Sequence, residues 1–131
     1  MGRKMKKKIL LADDDSDTLL LLNKILVARG YDVQCLDNAA AIVNGDVSQW
    51  PDVFILDKDM KMIDGIAICK FLRLHKTARN IPIIMVSGHD CRRRATAAGV
   101  DYYIDKPLDV HELLEAVDRL TSPQPAEFQQ Q

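Results

Sequence analysis

Pro51-Asp52-Val53-Phe54-Ile55-Leu56-Asp57 is the stretch that decides the fold. Four apolar residues in a row leave no polar face, so a strand made of them is buried on both sides. Pro51 introduces the run, and Asp57 ends it with a carboxylate. The same grammar recurs on either side. Ile9-Leu10-Leu11-Ala12 is followed by Asp13-Asp14-Asp15, and Ile83-Ile84-Met85-Val86 by Ser87. Tyr102-Tyr103-Ile104-Asp105 leads into Lys106, and Tyr31 to Leu36 reads as a further strand.

Longer amphipathic segments separate these runs. Asp17 to Arg29 reads as a helix, with Ser16 as its cap and Gly30 as its stop. A short helix is expected through Ala39–Val43, closed near Gly45, and another over Ile66 to His75. Asp90 to Ala98 is a small Arg-rich helix stopped by Gly99. Val110, Leu113, Leu114, Val117 and Leu120 recur at spacings of three and four, which marks the last helix. Apolar strands alternating with helices predict an α/β protein with a parallel sheet covered on both faces.

At 131 residues the chain suits one domain. The expected division is a basic tail over 1–7, a folded domain over 8–121, and a Pro- and Gln-rich tail or linker over 122–131. Net charge is −1, which argues against direct nucleic-acid binding, and no apolar run is long enough for a membrane span. Cys35, Cys69 and Cys91 have neither disulfide nor zinc-site spacing, so reduced thiols and a cytoplasmic location are expected.

The chemistry gathers at one edge. Asp13 and Asp14, Asp57, Ser87 and Lys106 all lie at carboxyl ends of predicted strands. In an open parallel sheet that edge is where ligands bind. Any one of these residues alone reads as a turn or a cap; their coincidence does not. A carboxylate can attack phosphorus to give an acyl phosphate. Mg²⁺ (or Mn²⁺) on oxygen ligands would offset the repulsion between the two anions.

The motifs ILLADDD at 9–15, PDVFILDKDM at 51–60, DG at Asp64-Gly65, IPIIMVSG at 81–88 and GVDYYIDKP at 99–107 together resemble the receiver domain of response regulators. The resemblance covers Lys8 to about Leu120 and implies a flavodoxin-like, three-layer α/β/α fold, (βα)5, with strand order 2-1-3-4-5 (an order the chemotaxis regulator of this family exemplifies). It implies Asp57 as phosphoacceptor, with Lys106 and Ser87 contacting the phosphoryl oxygens. The metal ligands would be Asp13, Asp14, Asp57 and the backbone carbonyl of Asp59. Ser87 and Tyr103 would form a switch, Tyr103 turning inward to alter the surface of the fourth helix, fifth strand and fifth helix. The Lys106–Pro107 bond is expected to be cis. The implied phosphodonor is a sensor histidine kinase or a histidine phosphotransfer protein; further partners would be a downstream output protein or domain, or a second copy of the chain. Such a protein catalyses only its own phosphorylation and dephosphorylation.

Two features stand apart from the family pattern. Most receivers carry Pro four residues after the phosphorylated Asp; this chain has Lys61, which predicts a less rigid loop. Lys58 and Asp59 add charge beside the site, and an altered phosphoryl lifetime is expected from them. On the first helix, Leu21, Leu22, Ile25 and Leu26 are assigned to the core face, while Leu20 and Val27 fall opposite and are candidates for docking the donor. Arg92–Arg94 and His89 read as solvated, and Met60 and Met62 as loop and core filling.

Three other uses of these residues compete with this one. Asp57-Lys58-Asp59 resembles the D-x-D of haloacid-dehalogenase-type phosphatases, but there the D-x-D follows the first strand, and this chain lacks room for a cap domain. A non-phosphorylated pseudo-receiver is opposed by the intact Asp57, Lys106 and acidic pair. Flavin binding is opposed by Asp13–Asp15, which would repel a phosphate.

Overall fold

The structure is a computed structural model and describes residues 5–45, 47 and 49–122. Most of both expected tails lies outside these residues. The elements run β1 (Lys8–Ala12), α1 (Ser16–Ala28), β2 (Asp32–Leu36), α2 (Ala40–Val43), β3 (Val53–Asp57), α3 (Gly65–Leu74), a short 3-10 helix (Ala78–Asn80), β4 (Ile83–Ser87), α4 (Arg92–Ala98), β5 (Tyr102–Asp105) and α5 (Val110–Thr121). All strand pairs are parallel, in the order β2-β1-β3-β4-β5. The flavodoxin-like order implied by the sequence is thus the order found.

Alternate side chains of each strand enter opposite layers. Leu10, Phe54, Leu56, Ile83 and Met85 pack against Ile42 of α2, Ile68 and Leu72 of α3, and Ala95 of α4. Ile9, Leu11, Val53, Ile55, Ile84 and Ile104 pack against Leu22 and Leu26 of α1 and Leu113, Ala116 and Val117 of α5. All five residues of β3 and of β4 are buried, as their apolar runs require.

Several sequence-based boundaries shift. Ser16 is the first residue of α1 rather than its cap; Asp15 takes that position in an extended conformation and accepts the hydroxyl of Thr18. β2 starts one residue late because Tyr31 turns into the core. α4 starts at Arg92 rather than Asp90. The core face of α1 is also rotated. Leu21, assigned to the core, is 55% exposed; Leu22 and Leu26 are buried, and Leu19 is partly buried against the same cluster. Leu20 and Val27 are exposed, as expected.

Two devices fix the loops around the sheet edge. Asp64 caps α3 by accepting the Ile66 N–H at 2.7 Å, and Gly65 follows. A Cβ at Gly65 would lie 2.7 Å from the Lys58 Cα and 2.9 Å from the Asp57 carbonyl oxygen, so only glycine lets α3 start against the end of β3. Arg73, which the sequence did not single out, fastens α3 to the far end of α4. Its guanidinium donates to the Gly99 carbonyl at 2.8 and 3.0 Å and to the Ile81 carbonyl at 2.8 Å, and it pairs with Asp101 at 2.7 Å. Gly99 ends α4 at φ +103°, and a Cβ there would strike Arg73.

Candidate functional site

Parallel pairing in this order brings the carboxyl ends of β1, β3, β4 and β5 to one edge. Ala12 pairs with Leu56, Asp57 with Val86, and Ser87 with Asp105. Asp13 and Lys106, each one residue beyond its strand, therefore flank Asp57. A cleft of ≈ 290 Å³ opens there, lined in part by Asp13, Asp15, Asp57, Thr18 and Lys106.

Oxygens of Asp13, Asp14 and Asp57 all lie within 4.8 Å of one another. Asp57 and Asp13 are 4% and 6% exposed, low values for carboxylates. Lys106 Nζ reaches both oxygens of Asp57, at 3.1 and 3.2 Å. One ammonium thus faces three carboxyl groups. The pKa of Asp13 is raised from 3.8 to about 6. Burial is the main cause; the Asp15 N–H opposes it, and the charge of Asp57 adds to it. For Lys106, burial disfavours the charge, but the bond and attraction to Asp57 outweigh it and leave the pKa above its ordinary value.

Each acid is held by a backbone amide. Asp15 N–H donates to Asp13 Oδ1 at 2.9 Å, Lys61 N–H to Asp14 Oδ2 at 3.0 Å, and Asp59 N–H to Asp57 Oδ1 at 3.0 Å. One oxygen of each is thereby fixed, and three hard oxygen donors converge. That donor set suits a divalent cation such as Mg²⁺.

Ser87 is fully buried at the end of β4. Its hydroxyl donates to the His89 carbonyl at 3.0 Å and accepts the His89 N–H at 3.0 Å. Tyr103 is already turned inward, 6% exposed, and its hydroxyl donates to the same carbonyl. Cys91 Sγ sits between the two hydroxyls, 3.6 Å from Ser87 Oγ and 3.5 Å from Tyr103 OH. Arg92 covers the Tyr103 ring at 4.6 Å and pairs with Asp105 at 3.0 Å.

Asp59 turns its carboxylate to the other side of the cleft. It accepts His89 Nδ1 at 3.1 Å and the Gly88 N–H at 3.3 Å, with Lys58 Nζ 3.7 Å away. Burial pushes its pKa up, but these donors prevail and hold it below its ordinary value. His89 is exposed yet bridges two loops rather than standing free in solvent. Lys58 pairs also with Asp64 at 3.2 Å. The Lys106–Pro107 bond is cis, as the resemblance implied.

The site brings together Asp13, Asp14, Asp57 and Lys106, while Ser87, at the end of the neighbouring strand, and Tyr103 share the His89 carbonyl. Cys91 and the Lys61 amide were missed. Cys91 reads as one thiol among three, and an amide leaves no mark in a sequence except where proline removes it.

Among the described residues no helix is long and apolar enough to cross a membrane. The sequence matches the response regulator receiver domain family over residues 9–118. Response regulator MprA of Mycobacterium bovis (strain BCG / Pasteur 1173P2) is 32% identical over 128 residues, covering 93% of this chain and 55% of its own length. The chain thus spans about half the length of the curated relatives it matches. A putative response regulator from Chloroflexus aurantiacus superposes with TM-score 0.82 at 26% identity, covering 91% of this chain and 100% of its own. The receiver domain of sensor histidine kinase PA1611 from Pseudomonas aeruginosa PAO1, with a magnesium ion in its active site cleft, shares the fold at TM-score 0.80 and 23% identity, covering 89% and 98%. A match running from the first strand to the last helix shows the family: this chain belongs to the response regulator receiver domains.

Proposed function

We propose that Asp57 is the phosphoacceptor of a two-component relay and that Asp13, Asp14, Asp57 and the Asp59 carbonyl hold Mg²⁺ (or Mn²⁺) beside it. The observation that carries this is the grouping of three carboxyl groups within 4.8 Å, with Lys106 Nζ on both oxygens of Asp57. Bound Mg²⁺ supplies the charge that lets two anions meet. One Asp57 oxygen attacks phosphorus in line, the P–N bond of a phosphohistidine breaks, and the imidazole leaves with the bonding pair. Lys106 then loses its bidentate grip on Asp57 and takes a phosphoryl oxygen, a charge-assisted bond that grows as the phosphoryl arrives.

The donor is a sensor histidine kinase or a histidine phosphotransfer protein, and the exposed Leu20 and Val27 of α1 are candidates for the surface it meets. Ser87 completes the site by turning its hydroxyl from the His89 carbonyl to a phosphoryl oxygen. Tyr103 keeps that carbonyl satisfied, and the change passes through Cys91 and Arg92 to the surface of α4, β5 and α5. Such a step shifts a two-state population rather than making a new fold. The output partner binds that surface, as a separate protein, a linked domain or a second copy.

Incubation with acetyl phosphate and Mg²⁺, read by intact mass, tests the reading. One phosphoryl group per chain is expected, with none on Asp57→Ala or in chelator. Catalytic turnover of small phosphoesters without retained phosphate would instead favour a phosphatase.

A further inference from the structure

Lys61 stands at the tip of the loop after β3, four residues beyond Asp57, and its side chain is exposed. Its backbone is what the site uses. The Lys61 N–H donates to Asp14 Oδ2 at 3.0 Å across 47 residues of sequence. Asp13 and Asp57 receive their amides from neighbours two residues along their own loops. Asp14 alone of the three acids is held by an amide from a different loop. The β3–α3 loop carrying Lys61 is itself anchored, because the Gly65 N–H donates to the Lys58 carbonyl at 3.0 Å and Asp64 caps α3.

We infer that Lys61 is a positioning residue for the metal site. Its main-chain amide fixes one oxygen of Asp14 and with it the carboxylate's orientation beside Asp13 and Asp57, and its side chain has no part in this. The inference rests on the metal reading given above. A carboxylate on the exposed turn between β1 and α1 would otherwise sample several rotamers, and ordering it would weaken every binding event. A partner that orients a ligating carboxylate typically changes metal affinity by about 10- to 100-fold. Proline at this position would delete the donor, because proline has no N–H. The chain therefore gains a contact where a proline loop would gain only stiffness.

The test compares Lys61→Ala, which keeps the amide, with Lys61→Pro, which removes it. Mg²⁺ and Mn²⁺ affinities are measured directly, by calorimetry and by Mn²⁺ electron paramagnetic resonance, on the unphosphorylated protein. Lys61→Ala is expected within about twofold of the wild type and Lys61→Pro about 10-fold weaker. Replacing the 60–61 amide by an ester exchanges the donor N–H for an oxygen while keeping the lysine side chain, and must reproduce the loss. This second variant also decides the matter if proline disturbs the fold. Equal affinity of the ester and wild-type proteins overturns the inference, as does an equal loss in Lys61→Ala. A wild type that binds neither ion overturns the metal reading itself, a different failure.

Discussion

Replacing Asp13 by Asn should stabilise the metal-free protein. Asp13 is 6% exposed, and its pKa is raised from 3.8 to about 6, first by burial and then by the neighbouring Asp57. At about 1.4 kcal/mol per pH unit, keeping this group ionised at neutral pH disfavours folding by roughly 3 kcal/mol. Asparagine keeps an oxygen for the Asp15 N–H, the one backbone bond that opposes the shift. A gain of about 2 kcal/mol is therefore expected, since the neutral amide recovers most of the net penalty. For a domain of this size that is a melting temperature higher by about 6–12 °C. The sign with pH follows from the upward shift. The stability that protonated Asp13 confers is complete below pH 3.8 and is lost as pH rises through about 6. The gap between variant and wild type should thus be small at pH 4, grow to about pH 6.5, and stay level above it. Mg²⁺ binds the folded wild type and narrows or reverses the gap at neutral pH. Urea or thermal unfolding of both proteins in chelator, from pH 4 to 8, measures this directly. A gap independent of pH, or a variant less stable at pH 7.5, would refute the electrostatic reasoning.

Gly65→Ala must push backbone against backbone at 2.7 Å, so a loss of about 1–3 kcal/mol in urea unfolding and slower phosphorylation of Asp57 are expected together. Arg73→Ala strips the donors from the Gly99 and Ile81 carbonyls and unpairs Asp101; chemical denaturation should show about 2–4 kcal/mol lost, with metal affinity nearly unchanged. Cys91→Ala removes the thiol between the Ser87 and Tyr103 hydroxyls. Phosphoryl uptake by intact mass should persist, while the fluorine resonance of a fluorotyrosine at position 103 should shift less on phosphorylation than in the wild type.

The strands could be read because a parallel sheet buried on both faces needs apolar runs, and β3 and β4 are such runs. The site could be read because parallel pairing sends every strand's carboxyl end to the same edge, whichever residues lie between. What escaped depended on tertiary detail. Leu21 and Leu19 are two positions apart on α1, and the helix's angle against β1 and β2 decides which packs against the core. Asp64-Gly65 was visible as a motif, but the close approach to Lys58 that requires glycine is a contact between backbones. Arg73 looks like any helical arginine until Gly99 and Ile81 come to it. Lys61 reads from the sequence only as a missing proline; that its amide reaches Asp14 is a contact between two loops.

The phosphoryl group is expected to reside on one carboxylate, that of Asp57. Borohydride reduces an aspartyl phosphate to homoserine, which peptide mass spectrometry can locate after exposure of the protein to acetyl phosphate and Mg²⁺. Homoserine at position 57 and nowhere else is the predicted result. Homoserine at Asp13, Asp14 or Asp59, or a phosphorylated protein with none at 57, would contradict it.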